Sequence, residues 1–176
     1  MRKIVLTFGL IAGGILSAMM LLTLPFSEQI GFDKLAIIGY TTMALAFLLI
    51  YFGVRSYRDA TGGTISFGRA FLVGLGITAV ASACYVATWE VIYYKLTPDF
   101  VENYAAHSLE KARAAGKSAE EIVTLTAQLA RYQEMYKNPL VNIAITFLEP
   151  LPVGLVMTLV AAGVLRRRPT QTPAPA

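Results

Sequence analysis

Two carboxylates stand inside stretches that otherwise hold no formal charge: Glu149, in the apolar run Leu140–Leu165, and Glu90, near the end of the run Ala70–Tyr94. A carboxylate in the middle of a membrane helix costs roughly 2.5–3.5 kcal/mol on insertion scales, so such a residue marks a polar site by default. Glu149 also sits in Glu149-Pro150-Leu151-Pro152. Proline removes a backbone donor and opens the helix, so Pro150 and Pro152 put Glu149 beside a kink whose freed carbonyls want partners. No lysine or arginine lies at that depth in any run. A buried salt bridge is therefore excluded, and the neutral carboxyl, held by neutral donors such as Tyr40, Thr41 or Thr146, is the expected form. When the alternating directions of the runs are allowed for, Tyr85 and Thr88 fall at a similar depth. The candidate polar site is thus Glu149, Glu90, Tyr40, Thr41, Tyr85, Thr88 and Thr146.

Three kinds of chemistry could use such a set. In the preferred, structural reading, Glu149 donates a hydrogen bond that clamps the proline-kinked fourth run to the second, polar glue worth about 0.6–2 kcal/mol. In the alternative, Glu90 and Glu149 line an outward-facing polar cleft for transport or sensing of a cation, proton or small amine. Paired carboxylates could also act as acid and base, but no nucleophile–base pair accompanies them, so no enzyme is expected. The single cysteine, Cys84, lies mid-run and reads as inert packing; the single histidine, His107, reads as a surface residue. Neither can assemble a metal site, and no cofactor is expected. The Gly62-Gly63 loop lacks the lysine and preceding strand of a phosphate cradle.

The elements that must position these residues are membrane helices. With 56% hydrophobic and 15% charged residues and a mean hydropathy of +0.58, the 176-residue chain is too apolar for an ordinary soluble domain. Four runs, 4–24, 35–54, 70–94 and 140–165, each meet the ~20-residue requirement for a span. The first is too long for a signal peptide and reads as a retained helix. Eight basic residues (Arg2, Lys3, Arg55, Arg58, Arg69 and Arg166 to Arg168) flank the runs on one side against one acid, Asp59. The excess places both termini and the second loop, with Arg55, Arg58, Asp59 and Arg69, on the cytoplasmic side. The net charge of +4 accordingly describes topology and contact with anionic lipid, and not nucleic-acid binding.

Residues 97–138 form the external segment. Pro98, Phe100, Tyr104 and Leu109 outline one helix ended by Gly116. Ser118-Ala119-Glu120-Glu121 is a capping box, and Ile122, Leu125, Leu129, Tyr132 and Tyr136 recur on one helical face. The fold expected is all-α: an integral membrane four-helix bundle, residues 1–168 as one domain, with an extracytoplasmic helical hairpin between helices 3 and 4 and a disordered tail at 169–176. The small-residue rows Gly9/Gly13/Ser17, Gly74/Thr78/Ser82 and Ala79/Ala83/Ala87 allow close helix contact, within the bundle or in a homo-oligomer. The lipid bilayer is the expected partner, and no ligand can be named.

The second loop is the most specific stretch. Phe52-Gly53-Val54-Arg55-Ser56-Tyr57-Arg58-Asp59, then Gly62-Gly63-Thr64-Ile65-Ser66-Phe67-Gly68-Arg69-Ala70-Phe71, resembles the signature of the bacterial membrane family catalogued as domain of unknown function 4199. Tyr85-Val86-Ala87-Thr88-Trp89-Glu90 and Thr146-Phe147-Leu148-Glu149-Pro150 resemble its later segments in the right order. The resemblance implies a four-helix integral protein of a bacterial inner membrane and carries over no catalytic residue.

Overall fold

The computed structural model describes residues 1–166; Arg167, Arg168 and the 169–176 tail lie outside the described residues. Within them the chain is helical, with no strand: α1 (Arg2–Thr23), α2 (Ser27–Ile30), α3 (Phe32–Ala60), α4 (Phe67–Val91), α5 (Phe100–Ala114), α6 (Ala119–Tyr136), α7 (Pro139–Leu148) and α8 (Leu151–Leu165). Four stretches are long and apolar enough to cross a membrane: Arg2–Phe26, Phe32–Ala60, Phe67–Leu96 and Pro139–Leu165.

Local chemistry sets most of the boundaries. The Ser66 side chain accepts from the Arg69 amide at α4, and Asn138, before Pro139 in the first turn, accepts from the Leu140 amide at α7. Gly62 and Gly63, at φ +88° and +77°, reverse the chain between α3 and α4 in a conformation that disfavours any β-carbon. The second loop is shorter than hydropathy suggests. Arg55, Arg58 and Asp59 belong to the last turns of α3 and Arg69 to the first turn of α4. A helix does not stop where apolar residues stop; arginine is a good helix former, and α3 continues past the apolar stretch. At the other end of α4, Ile92–Leu96 widens to a π-helical turn, the Thr97 amide reaching the Ile92 carbonyl at 2.8 Å. The fourth span breaks between Leu148 and Leu151, at Glu149-Pro150, where the prolines forbid continuous bonding.

Contacts between residue pairs give the directions. Gly9 meets Val80, Gly13 meets Cys84 and Ser17 meets Thr88, so α1 and α4 run parallel. Gly74 meets Thr158 and Tyr85 meets Glu149, so α8 and α7 run against α4; Phe8 against Gly53 makes α3 antiparallel to α1. The start of α1, the α3–α4 turn and the end of α8 therefore share one end of the molecule. The core there is Phe47, Ile50, Val54, Ile65, Val73, Ile77 and Ala162, all nearly or wholly buried. Along the length of the bundle, large apolar residues such as Leu22 (69%), Ile37 (67%) and Val164 (66%) stand exposed on its outside. Such an apolar exterior suits hydrocarbon and would be a liability in water.

At the opposite end α5 and α6 cover the helix tips. The capping box at Ser118 is formed: its Oγ accepts from the Glu121 amide and Glu121 Oε2 accepts from the Ser118 amide at 2.9 Å. The buried residues of α5 are Val101, Ala105 and Ala112, displacing Tyr104, which is exposed. Phe32 of α3 packs its ring against Phe100 and Tyr104, both with centroids at 5.6 Å, and Lys111 Nζ meets Asp33 at 2.7 Å. His107 is not a surface residue: it is half-buried on Phe32 at 5.3 Å, its Nε2 buried without a partner among the described residues.

Candidate functional site

The first half of the fourth span carries one polar face. Asn142, Thr146 and Glu149 are spaced four and three residues apart, which stacks them along one side of the helix. Tyr85 and Trp89, one turn apart on α4, oppose that side. Tyr85 donates its hydroxyl proton to Glu149 Oε2 at 2.7 Å, and Trp89 donates its indole N–H to Asn142 Oδ1 at 3.1 Å. Thr146 donates to the same Asn142 oxygen at 3.2 Å. Asn142 is wholly buried, and its Nδ2 has no partner among the described residues.

Glu149 is itself exposed, because it stands on the wall of a cavity of about 610 Å³. The cavity lies in the α5–α6 half of the molecule. One side is apolar, with Leu16, Met19 and Met20 of α1 and Leu35, Ile38 and Met43 of α3. Tyr85 and Trp89 of α4 and Ile92 of the π-helical turn form the back, and Phe100, Tyr104, Tyr132 and Tyr136 bring α5 and α6 to it. Rings brace one another around the space: Trp89 to Phe100 at 4.8 Å, Tyr104 to Tyr132 at 6.4 Å, and Tyr132 to Tyr136 at 4.7 Å. Burial pushes the Tyr132 and Tyr136 hydroxyls above their ordinary value of 10, so both stay neutral O–H groups. Glu149 is the one ionisable carboxyl, and the only charged residue type, among the described residues of this wall.

The structure brings some of the anticipated residues together and separates others. Tyr85 is the donor to Glu149; Tyr40 shares the cavity wall but is not within hydrogen-bonding reach of the carboxyl, and Thr146 turns to Asn142 instead. Thr41 is exposed and off the cavity; its neighbour Thr42 lines it, with its hydroxyl donating to the Ile38 carbonyl at 2.8 Å. Thr88 faces α1, its Oγ1 2.7 Å from Ser17 Oγ. Glu90 does not share the cavity with Glu149. Five residues on from Tyr85, it is turned by about 140° around α4. It is half-buried, with Oε1 buried and unpartnered among the described residues. A clamp to the second span is likewise replaced by one to the third, through Tyr85. Of the kink prolines, Pro150 is buried and Pro152 exposed.

In the sequence Tyr104, Tyr132 and Tyr136 mark only helix faces and Trp89 carries no site signal, so their convergence on one space is a finding of the structure. The clue was there: the helical face Leu129–Tyr132–Tyr136 is more aromatic toward the membrane end than a packing stripe needs. Outside the cavity, Arg58 Nε and Nη2 donate to Asp59 Oδ1 at 2.9 and 2.8 Å, with Arg55 at 3.8 Å from Oδ2. This is an exposed intrahelical cluster, worth little to stability. Among the described residues no group of three or more His, Cys, Asp or Glu could hold a metal ion.

The chain belongs to a family described as proteins of unknown function (DUF4199), whose sequence model matches residues 7–167. No curated protein and no solved structure matches the chain.

Proposed function

We propose that this member of the family is a multi-pass protein of a bacterial inner membrane that binds a small molecule in the cavity beside Glu149. The four spans form one bundle with both termini in the cytoplasm, and α5 and α6 form a helical hairpin at the external face. The orientation is supported by the eight-to-one basic excess around the termini and the α3–α4 turn. Reporter fusions at Lys111 and after Arg168 should report opposite compartments; the same compartment for both would overturn it.

One observation carries the binding reading: an open cavity of about 610 Å³ with a single carboxyl on its wall. Ligand sites are concave, mostly apolar spaces of about 300–1,000 Å³ with few polar groups, and this one fits that description. A carboxyl there fixes the orientation of whatever enters. The activity that follows from this reading is transport or sensing of the bound molecule. The test is access. In a Cys84→Ala background, a membrane-impermeant maleimide added from outside should label Tyr40→Cys and leave the outward-facing Leu45→Cys unlabelled. Protection of Tyr40→Cys would sink the reading.

A structural role is the second reading, favoured by the 2.7 Å Tyr85–Glu149 hydrogen bond, which ties the broken span to α4. Both roles fit one residue: the clamp uses Oε2, and among the described residues no protein donor meets Oε1. For self-association, α1 is filled by α4 of the same chain along Gly9 and Gly13, whereas the Ala79/Ala83/Ala87 row is exposed and is the face a second copy would use.

A further inference from the structure

We propose that the occupant of the cavity is an organic cation with an apolar body, a lipophilic amine or onium ion, and that Glu149 and the surrounding rings recognise its charge. The proposal rests on the reading of the cavity as a binding site and names the ligand class.

The charge inventory of the wall selects the sign. Glu149 is the sole acidic side chain there, and no lysine, arginine or histidine lines the cavity among the described residues. An anion would meet a carboxyl and no counter-charge. A neutral apolar molecule would strip water from Glu149 and leave Oε1 without a partner, which is costly in an apolar site. A cation does neither: its charge favours release of the Glu149 proton, and the resulting ion pair leaves the filled cavity neutral. Tyr85, by holding Oε2 at 2.7 Å, fixes the carboxyl without occupying Oε1.

The rings supply the second term. Phe32, Tyr40, Tyr85, Trp89, Tyr104 and Tyr132 all border the space. Aromatic faces attract a cation through their quadrupoles, most strongly where water is excluded and best of all at tryptophan. Trp89 is held for this. Its N–H is committed to Asn142 at 3.1 Å, and Phe100 packs on it at 4.8 Å with an interplanar angle of 84°, so the indole plane is fixed from two sides. Opposite, Met19, Met20 and Met43 give a soft, adaptable surface for an apolar body of no single shape.

The experiment uses two probes of one shape and opposite charge, tetraphenylphosphonium and tetraphenylborate, bound to the purified full chain in nonionic detergent and measured by scintillation proximity. The expected result is saturable binding of the phosphonium and none of the borate. Glu149→Gln should weaken phosphonium binding at least about tenfold. Tyr104→Ala should weaken it about threefold to tenfold. Because Tyr104 lies on α5, outside the spans, that variant keeps the test decisive even where Glu149→Gln fails to fold. Equal phosphonium binding by wild type, Glu149→Gln and Tyr104→Ala overturns the proposal. Binding of the borate in preference overturns the cation class while leaving the cavity a binding site. Absence of binding by both probes overturns the cation proposal too, and labelling of Tyr40→Cys then decides separately whether the binding reading survives.

Discussion

The two halves of the molecule pack by opposite means along the same four spans. Near the termini and the α3–α4 turn, the helices meet through their smallest side chains. A β-carbon on Gly74 would come within 2.8 Å of Thr158 Cγ2, one on Gly53 within 2.5 Å of Ile77, and one on Gly154 would overlap Thr78. Toward α5 and α6 the contacts pass to tyrosine, tryptophan and phenylalanine, whose rings hold the backbones apart and enclose a space. Lipid offers helices no hydrophobic gain from mutual contact, so close approach needs small residues, and where they run out a cavity opens. The close-packed half supplies rigidity and the aromatic half supplies room, and one chain needs both to hold a carboxyl steady beside an open space.

The sharpest way to break this contrast is to give the close-packed half bulk. Gly154→Leu drives a side chain into Thr78 and should cost about 3 kcal/mol or prevent assembly altogether, read as lost thermal stability in detergent. A substitution of equal volume in the aromatic half, Gly39→Leu, meets open space and should leave the unfolding temperature nearly unchanged, although it narrows the cavity. Glu149 comes next. Glu149→Leu removes the acceptor of the Tyr85 hydroxyl and should cost about 1–2 kcal/mol, whereas Glu149→Gln retains a carbonyl for Tyr85 and should stay close to wild type. Equal loss in both variants would mean that charge, and not the hydrogen bond, holds the broken span.

Smaller effects belong to the cover over the cavity. Ser118→Ala should lower the stability of α6 by about 1 kcal/mol, seen as faster amide exchange in its first turn, with the spans unaffected. The same cap is acid-sensitive. The Ser118 amide and hydroxyl hold the Glu121 carboxyl below its ordinary 4.5. A depressed pKa contributes stability above the unfolded value that is lost as pH falls through the folded one. Exchange protection of α6 should therefore decline below about pH 4.5 and not between pH 6 and 8. The smallest change is expected at the exposed Lys111–Asp33 pair: Lys111→Ala should cost under about 0.5 kcal/mol and less in high salt.

Hydropathy made the four spans legible because twenty apolar residues have few other uses, and Ser118 with Glu121 announced α6 because a capping box is a local device. The break at Glu149-Pro150 was legible for the same reason: proline acts on its own turn. What depth alone could not supply was rotation. Tyr40, Thr41 and Tyr85 stand at similar heights, yet only Tyr85 reaches the carboxyl, because the α4 face that carries it is pinned against the fourth span by Gly74–Thr158 and Thr78–Gly154 farther down. Glu90 was misplaced by the same ambiguity. Residues on α5 and α6 converge on the cavity through tertiary folding of that segment onto Phe32, which no helical period records.

The parallel pairing of α1 with α4 sets an order in time. The residues of α1 that need a partner, ending at Ser17, find it 71 positions later in Thr88. At a synthesis rate of about 5–20 residues per second, that face waits roughly 4–14 seconds after leaving the ribosome before its partner emerges. By then α3 has been made, and its contact of Gly53 with Phe8 would shield one flank of α1 and leave Gly9 and Gly13 open. Were the helices to pack in the order of their synthesis, a two-helix intermediate would present a vacant groove of small residues, and the third long helix would close it.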